Sequence, residues 1–456
     1  MQFNKINLDI NYSLKYGLNM TKFVVMRLTA KYQIHDIVKF KDQLLNWASN
    51  FDKTAVLSGE NKPSNGIHLQ YNYIVAVESL SEISVSKNCF STLKKYQANI
   101  NDWLFGYFTY DLKNEIEQLN STNNDGLNFP QLFFFQPKWV FLIIDNEVII
   151  HFPKNIDRRE VHLLFSKILK TKKNNLINEV SKINSTVDKK EYIDIVEKIK
   201  QHIQLGDIYE LNYCKEFFAK NSIINPVNIF KKLYKISEAP FSCYFKANHF
   251  HVISSSPERF IKKNGLKIIS QPIKGTRRRG KTKNKDLKLK NELFNCPKER
   301  SENVMVVDLV RNDLSKTASK SSVNVEELFG IYSFKQVHQM ISTVSSEIDE
   351  KINPVDVIKE CFPMASMTGT PKVKAMELIE KYEKTKRGLY SGSVGYFTPE
   401  GDFDFNVIIR SILYNSKNKY VSFMVGSAIT SNSLPEFEYD ECLLKAQAMF
   451  EVLEND

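Results

Sequence analysis

Two short aromatic runs limit what this chain can become. Leu132-Phe133-Phe134-Phe135 and Trp139-Val140-Phe141-Leu142-Ile143-Ile144 are apolar at every position, short, and rich in aromatic and β-branched side chains. Such runs suit buried strands. Buried strands need a large core, and 456 residues at 42% apolar and 12% aromatic content can supply one. No run of eighteen apolar residues occurs, and the N-terminal MQFNKINLDINYSLKYGLNMTKF mixes polar and charged residues throughout, so neither a membrane span nor a secretory leader is expected. Residues before Met20 or Met26 are read as a ragged start. The six cysteines (Cys89, Cys214, Cys243, Cys296, Cys361, Cys442) are scattered with no C-x-x-C among them. That spacing argues against a zinc site or a disulfide framework and fits a reducing, cytoplasmic setting.

A formal charge of +11 and the basic stretch Arg277 to Lys290 (RRRGKTKNKDLKLK) invite a nucleic-acid reading. The excess is instead spread over the whole chain, and no aromatic residue is interleaved with the basic stretch to stack on bases. A basic surface of this kind suits a small anion.

The chain divides into an aromatic-rich first portion (1–175), a polar connector (170–187) and a second portion (188–456) that carries the chemistry. Tyr192, Ile195, Val196, Ile199 and Ile203 recur at helical spacing, and Gly206 supplies a stop. In FHVISSSPERFIKKNGLKIISQPIKGT two strand-like arms flank Asn264-Gly265. A two-residue turn there sets Pro257 opposite Pro272 and Ser255 opposite Lys274, so the arms splay and Glu258 and Lys274 share one frayed end.

Further signals are individually weak. Glu299 and Glu302 lie three apart on a probable helix; Glu438, Glu441 and Lys445 repeat that spacing near the C-terminus. Two such faces could make an oxygen-rich Mg²⁺ site, or could simply be solvated. Thr368-Gly369-Thr370-Pro371-Lys372 looks like a helix start with a threonine cap and proline in its first turn, open to an anion or merely capped. YSGSVGYF (390–397) and VGSAIT (425–430) are glycine-punctuated strands that let backbone approach a ligand. Arg410, in the apolar string FNVIIRSIL, is costly to bury without an anion. His338, alone, reads as a structural histidine as readily as a catalyst.

Taken together and in order, SPERF, PIKGTRRRG, KERSENVMVVDLVRND, QVHQMIST, MTGTPK, YSGSVGYF and GSAITSNSLPEFEYDECLLKA closely resemble the chorismate-utilising enzymes. The resemblance is specific from about residue 188 to 450 and extends more loosely through DWLFGYFTYDLKNEIE. It implies an α+β fold, a large antiparallel β-sandwich with helices outside, built from two intertwined halves. It also implies chorismate between the two acid clusters, with Mg²⁺ on Glu302 and Glu441 and with Glu299 and Glu438 acting through water. Glu258 matches the general acid that protonates the departing C4 hydroxyl. Tyr390, Arg410 and the backbone of Gly426, Ser427 and Ala428 match the enolpyruvyl-carboxylate site; Lys445 contacts the ring-carboxylate side, Thr368 and His338 line the site, and Gly275 and Thr276 follow the decisive lysine. Members making anthranilate, isochorismate or salicylate carry alanine where this chain has Lys274.

Where water-adding members place a lysine base, this chain has Glu210, so Lys274 is expected to attack C2 itself, giving an adduct that ammonia resolves at C4. A nucleophilic lysine must be neutral, so Mg²⁺, Arg277 or burial is expected to lower its pKa. No cysteine has the glycine neighbours of a glutaminase nucleophile, and a separate glutamine amidotransferase subunit is the expected ammonia source. The rival readings are an anthranilate-forming enzyme with an unusual lysine and a non-catalytic basic binding protein.

Overall fold

Leu132–Ile144 is one continuous strand, and the rest of the fold is organised around it. The computed structural model describes residues 25–59, 71–172 and 178–454; the expected ragged start and part of the connector lie outside them. The two aromatic runs fuse because Pro137 falls where the neighbouring strand Tyr73–Val85 slips register between Ser79 and Ser81. A bulge tolerates a residue without an N–H. Residues 132–135 all join one core, and over the second run successive side chains enter opposite cores: Val140 and Leu142 share the cluster of Phe105, Phe134 and Phe405, whereas Trp139, Phe141 and Ile143 share that of Trp47, Tyr213 and Phe423. Both faces of the strand are buried, as its sequence requires.

Twenty strands among the described residues join one hydrogen-bonded network, and its long ladders are antiparallel. Helices flank it, giving the expected α+β architecture. Strands from the two portions alternate: Lys53–Ser58 pairs with Phe241–Ala247, and Leu104–Phe108 pairs with Ser393–Phe397. The connector adds its own short pairing, Asn184–Ser185 against Phe218 and Phe217. Lys189–Gln204 is the expected helix. Asp188 caps it by accepting from the Glu191 N–H, Tyr192, Ile195, Val196 and Ile199 face inward, and Gly206 ends it at φ +82°. No helix among the described residues is long and apolar enough to cross a membrane.

The hairpin differs from expectation. Its turn is Gly265-Leu266, with Asn264 opposite Lys267, and a bulge lies between Arg259 and Lys262. The pairing of Ser255 with Lys274 therefore does not occur. Gly265 at φ +60° takes the first turn position, where glycine is least strained, and Asn264 stays in the ladder.

Candidate functional site

Three elements meet at Lys274. It lies on the strand Ile273–Arg278, which begins directly after Pro272; Glu210 opens the strand Glu210–Ala219, and its backbone pairs with Thr370. Lys274 and Glu210 are 8% and 3% exposed and form a direct ion pair. This is not a solvated loop charge. Burial alone would push the lysine's pKa down, but Glu210, Glu302 and Glu258 outweigh it and hold it above the usual lysine range. The expected lowering is therefore corrected: in the unliganded site the ammonium is favoured, and Arg277 pairs instead with Glu299 at 3.0 Å.

Glu258 lies just past the strand Phe250–Ser256 and is 4% exposed. Its carbonyl accepts from Val407 N–H at 3.0 Å, which locks the chain where the hairpin arms part. Burial lifts its carboxyl to a pKa of about 7, with the Ile273 N–H and Lys274 pulling the other way. It borders a cavity of about 20 Å³, also lined by Pro272, Val310, Leu314 and Met364, with room for about one water. Glu258 and Lys274 are thus brought together as expected, though by a different register.

The two acid faces also meet. Pro297–Ser315 carries Glu299 and Glu302, and Pro435–Glu454 carries Glu438, Glu441 and Lys445. Lys298 links them, its ammonium 3.8 Å from Glu302 and 3.5 Å from Glu438. Glu302 is buried, its Oε1 has no hydrogen-bond partner, and burial raises its pKa to about 7. Glu438 accepts from the Ser427 hydroxyl, and Glu441 pairs with Lys445 at 2.8 Å. Among the described residues, no three acidic, histidine or cysteine side chains converge tightly enough to ligate an ion as they stand. The donor set still fits a hard divalent cation: carboxylate oxygens only, one of them orphaned and buried, with a lysine ammonium already between the clusters. Glu299 is paired with Arg277.

Around these groups the remaining expected residues take varied places. Arg410 is not within a strand: Phe403–Asn406 ends before it, Ser411–Asn415 starts after it, and it adopts φ +49°. Among the described residues no charged group offsets its burial, which depresses its pKa. An uncompensated guanidinium of this kind asks for an anion. Tyr390 is buried beside Cys214. Thr368 is fully buried, its hydroxyl donating to the Met364 and Ala365 carbonyls, while its own carbonyl accepts from Asn212 N–H. The helix that follows runs Lys372–Tyr382 with Pro371 as N-cap and no side-chain cap. The expected threonine cap and first-turn proline are not there. Lys445 donates to the Gly426 carbonyl at 2.8 Å. At Gly426 a Cβ would lie 2.5 Å from Cys214 Sγ, and Ser427 and Ala428 continue the same strand beside Tyr213 and Asn212. Gly275 has φ +92° and a Cβ there would sit 2.9 Å from Glu299 Oε2, so glycine lets the lysine strand press against the acid helix. Thr276 pairs with Gln339 and its carbonyl accepts from Arg277. His338 is engaged elsewhere, Nδ1 with Ser333 at 2.8 Å and Nε2 with Asp286 at 2.9 Å, so neither ring nitrogen is free for a ligand.

Two features escaped sequence reasoning. Lys298 was hidden because a lysine beside two glutamates on a helix reads as solvated. Arg387, about twenty residues beyond Thr368, forms a buried pair with Glu383 and donates to the carbonyls of Met367 and Asn212, clamping the Thr368 segment to the Glu210 strand.

The sequence profile of the chorismate binding enzyme family matches residues 52–451. An anthranilate synthase component I-like protein of Synechocystis sp. is 34% identical over 360 residues, 77% of this chain and 72% of that protein. Aminodeoxychorismate synthase component 1 of Bacillus subtilis is 39% identical over 259 residues, 57% of this chain and 54% of that protein. The crystal structure of anthranilate synthase component I from Streptococcus pneumoniae superposes with a TM-score of 0.73 at 21% identity, covering 86% of this chain and 95% of that one, a likeness of fold.

Proposed function

The chain belongs to the chorismate-binding enzymes, and from that premise we propose that it is an aminodeoxychorismate synthase component I, aminating chorismate at C4 on the route to p-aminobenzoate and folate. The observation that carries this reading is Lys274, buried against Glu210 and facing Glu302 and Glu258 rather than solvent. In this reading the Lys274 amine attacks C2 of chorismate as the C4 hydroxyl departs with a proton from Glu258. Ammonia then adds at C4 and displaces the lysine. Glu258 suits its part because its raised pKa keeps a proton available near neutrality. Arg410, lacking an anion of its own, receives a substrate carboxylate, and the Gly426–Ala428 backbone approaches the same group. A Mg²⁺ ion would be held by Glu302 and Glu441, with Glu299 and Glu438 behind, and would supply positive charge for the ring carboxylate.

Ammonia is proposed to come from a separate glutamine amidotransferase subunit. Cys89, Cys214, Cys243, Cys361 and Cys442 are buried, and burial pushes their thiols up, the opposite of what a glutaminase nucleophile needs.

Incubation with chorismate, Mg²⁺ and ammonium, followed by mass spectrometry, tests the reading. A product that retains the enolpyruvyl group is expected. Fluorescent anthranilate with release of pyruvate would instead support the anthranilate-forming alternative.

A further inference from the structure

The Lys274–Glu210 contact joins residues 64 positions apart and shields both from solvent. An amine presented to a carbon electrophile must first lose a proton, and something must hold that proton. The charged groups facing the lysine are Glu210 from the strand Glu210–Ala219, Glu258 from the parted hairpin, Glu302 from the first acid helix, and Glu441 and Lys445 from the C-terminal helix. Each of the others has a competing commitment. Glu258 is to deliver its own proton to the leaving hydroxyl, Glu302 shares Lys298, and Glu441 is paired with Lys445. Glu210 alone is bonded to the lysine nitrogen. Its backbone is fixed on both flanks, since Tyr209 N–H donates to the Thr370 carbonyl at 2.7 Å and Leu211 pairs with Gly369.

We propose that Glu210 is a further catalytic residue, the base that takes the ammonium proton of Lys274 as the amine attacks and returns it when the amine is released. This rests on the reading of Lys274 as nucleophile. The protons balance. One N–H proton moves from Lys274 to Glu210, the freed lone pair forms the N–C2 bond, both ring double bonds shift by one position around the C1–C6–C5 side, and the C4–O bond breaks with the Glu258 proton leaving as water. When ammonia forms the N–C4 bond, the C2–N bond breaks and its electrons return to the lysine nitrogen, which recovers its proton from Glu210. The surplus proton on the new amine restores Glu258. The sum is chorismate plus ammonia giving the C4 amine plus water.

The test uses two electrophiles on the full-length protein. Cyanate carbamylates only neutral amines and needs no general base from the site; chorismate with Mg²⁺ and no ammonia requires the complete arrangement. Labelling between Gln271 and Arg277 is followed by peptide mapping in wild type, Glu210→Gln and Glu210→Asp, with thermal melts confirming that each variant is folded. Removing the carboxylate frees the amine from its ion pair but leaves no acceptor. Glu210→Gln should therefore carbamylate several-fold faster than wild type yet form the chorismate adduct about 10²-fold more slowly. Glu210→Asp, which keeps an acceptor, should lie between the two in both reactions and provides the comparison if the glutamine variant does not fold. Adduct formation by Glu210→Gln at the wild-type rate or faster would reduce Glu210 to a counter-ion and overturn the proposal. Unchanged carbamylation would overturn the pairing itself. A wild type that never forms the adduct while cyanate labelling still responds to Glu210→Gln would locate the failure in the nucleophile reading, and the proposal would fall with it.

Discussion

The buried pair Arg27–Asp102 in the first portion of the molecule is a closed set, whereas several charges at the candidate site are open. Arg27 meets Asp102 through two contacts of 2.6 and 2.8 Å, gives a third bond to the Lys138 carbonyl, and Gln136 takes up the remaining Asp102 capacity. Arg387 and Glu383 form a closed set of the same type beside the site. By contrast Arg410 has no ion-pair partner among the described residues, Glu302 has an oxygen with no hydrogen-bond partner, and Lys274, though paired with Glu210, also faces Glu258, Glu302 and Glu441. A closed pair can hold a fold together because every polar group has an answer inside the chain. An open group is only partly answered inside the chain and is placed to meet something from outside.

The comparison breaks most visibly at Glu258. Glu258→Gln should lower turnover by roughly 10²- to 10⁴-fold while chorismate still binds and the melting temperature holds or rises. A variant within a few-fold of wild type would move the proton source elsewhere. The opposite pattern is expected of Arg387→Ala. That substitution strands the Glu383 charge in the interior and should cost about 3–5 kcal/mol of unfolding free energy in urea titrations. If stability is unchanged, the pair is not closed in the sense used here.

The pH dependence of stability sharpens the same contrast. Under metal-free conditions Glu258 keeps its proton up to a pKa of about 7 in the folded chain, against 4.5 when exposed. Between those values the unfolded chain gives up a proton that the folded chain retains, so unfolding free energy falls as pH rises across the window. At about 1.4 kcal/mol per pH unit the fall from Glu258 approaches roughly 3 kcal/mol, and Glu302 adds in the same direction. Glu258→Gln should flatten the curve; an equally steep curve would mean that its burial is not costly. The smallest effect is expected at Arg410. Arg410→Ala should weaken chorismate binding by about 2 kcal/mol or more, near thirty-fold in KM, and leave the unliganded protein as stable as before or more so. Lost stability without lost binding would make it a scaffold residue.

Much of this was legible in the sequence, for identifiable reasons. The burial of residues 132–135 and 139–143 follows from two unbroken apolar runs, and the helix Lys189–Gln204 from its periodicity, its aspartate cap and its glycine stop. The acid pairs were legible because three-residue spacing fixes a shared helix face. Register was not. Asn264-Gly265 is the favoured turn dipeptide, but one glycine at positive φ suffices to start the reversal, and the ladder moved so that Asn264 stayed paired. Arg410 could not be seen as a turn residue inside FNVIIRSIL, because nothing local signals its positive φ. The Glu210–Lys274 pair joins two strands that are not hydrogen-bonded neighbours, one pairing with Gly369–Thr370 and the other with Val337–Glu347, and is invisible to any local rule.

The central claim is that Lys274 is a reagent, and intact-mass analysis of the protein incubated with chorismate and Mg²⁺ in the absence of any ammonia tests it most directly. The account predicts a mass increase equal to chorismate less one water, located between Gln271 and Arg277, absent from Lys274→Ala and discharged by ammonium. An unlabelled wild type, together with a Lys274→Ala variant that still makes aminodeoxychorismate at an undiminished rate, would contradict it.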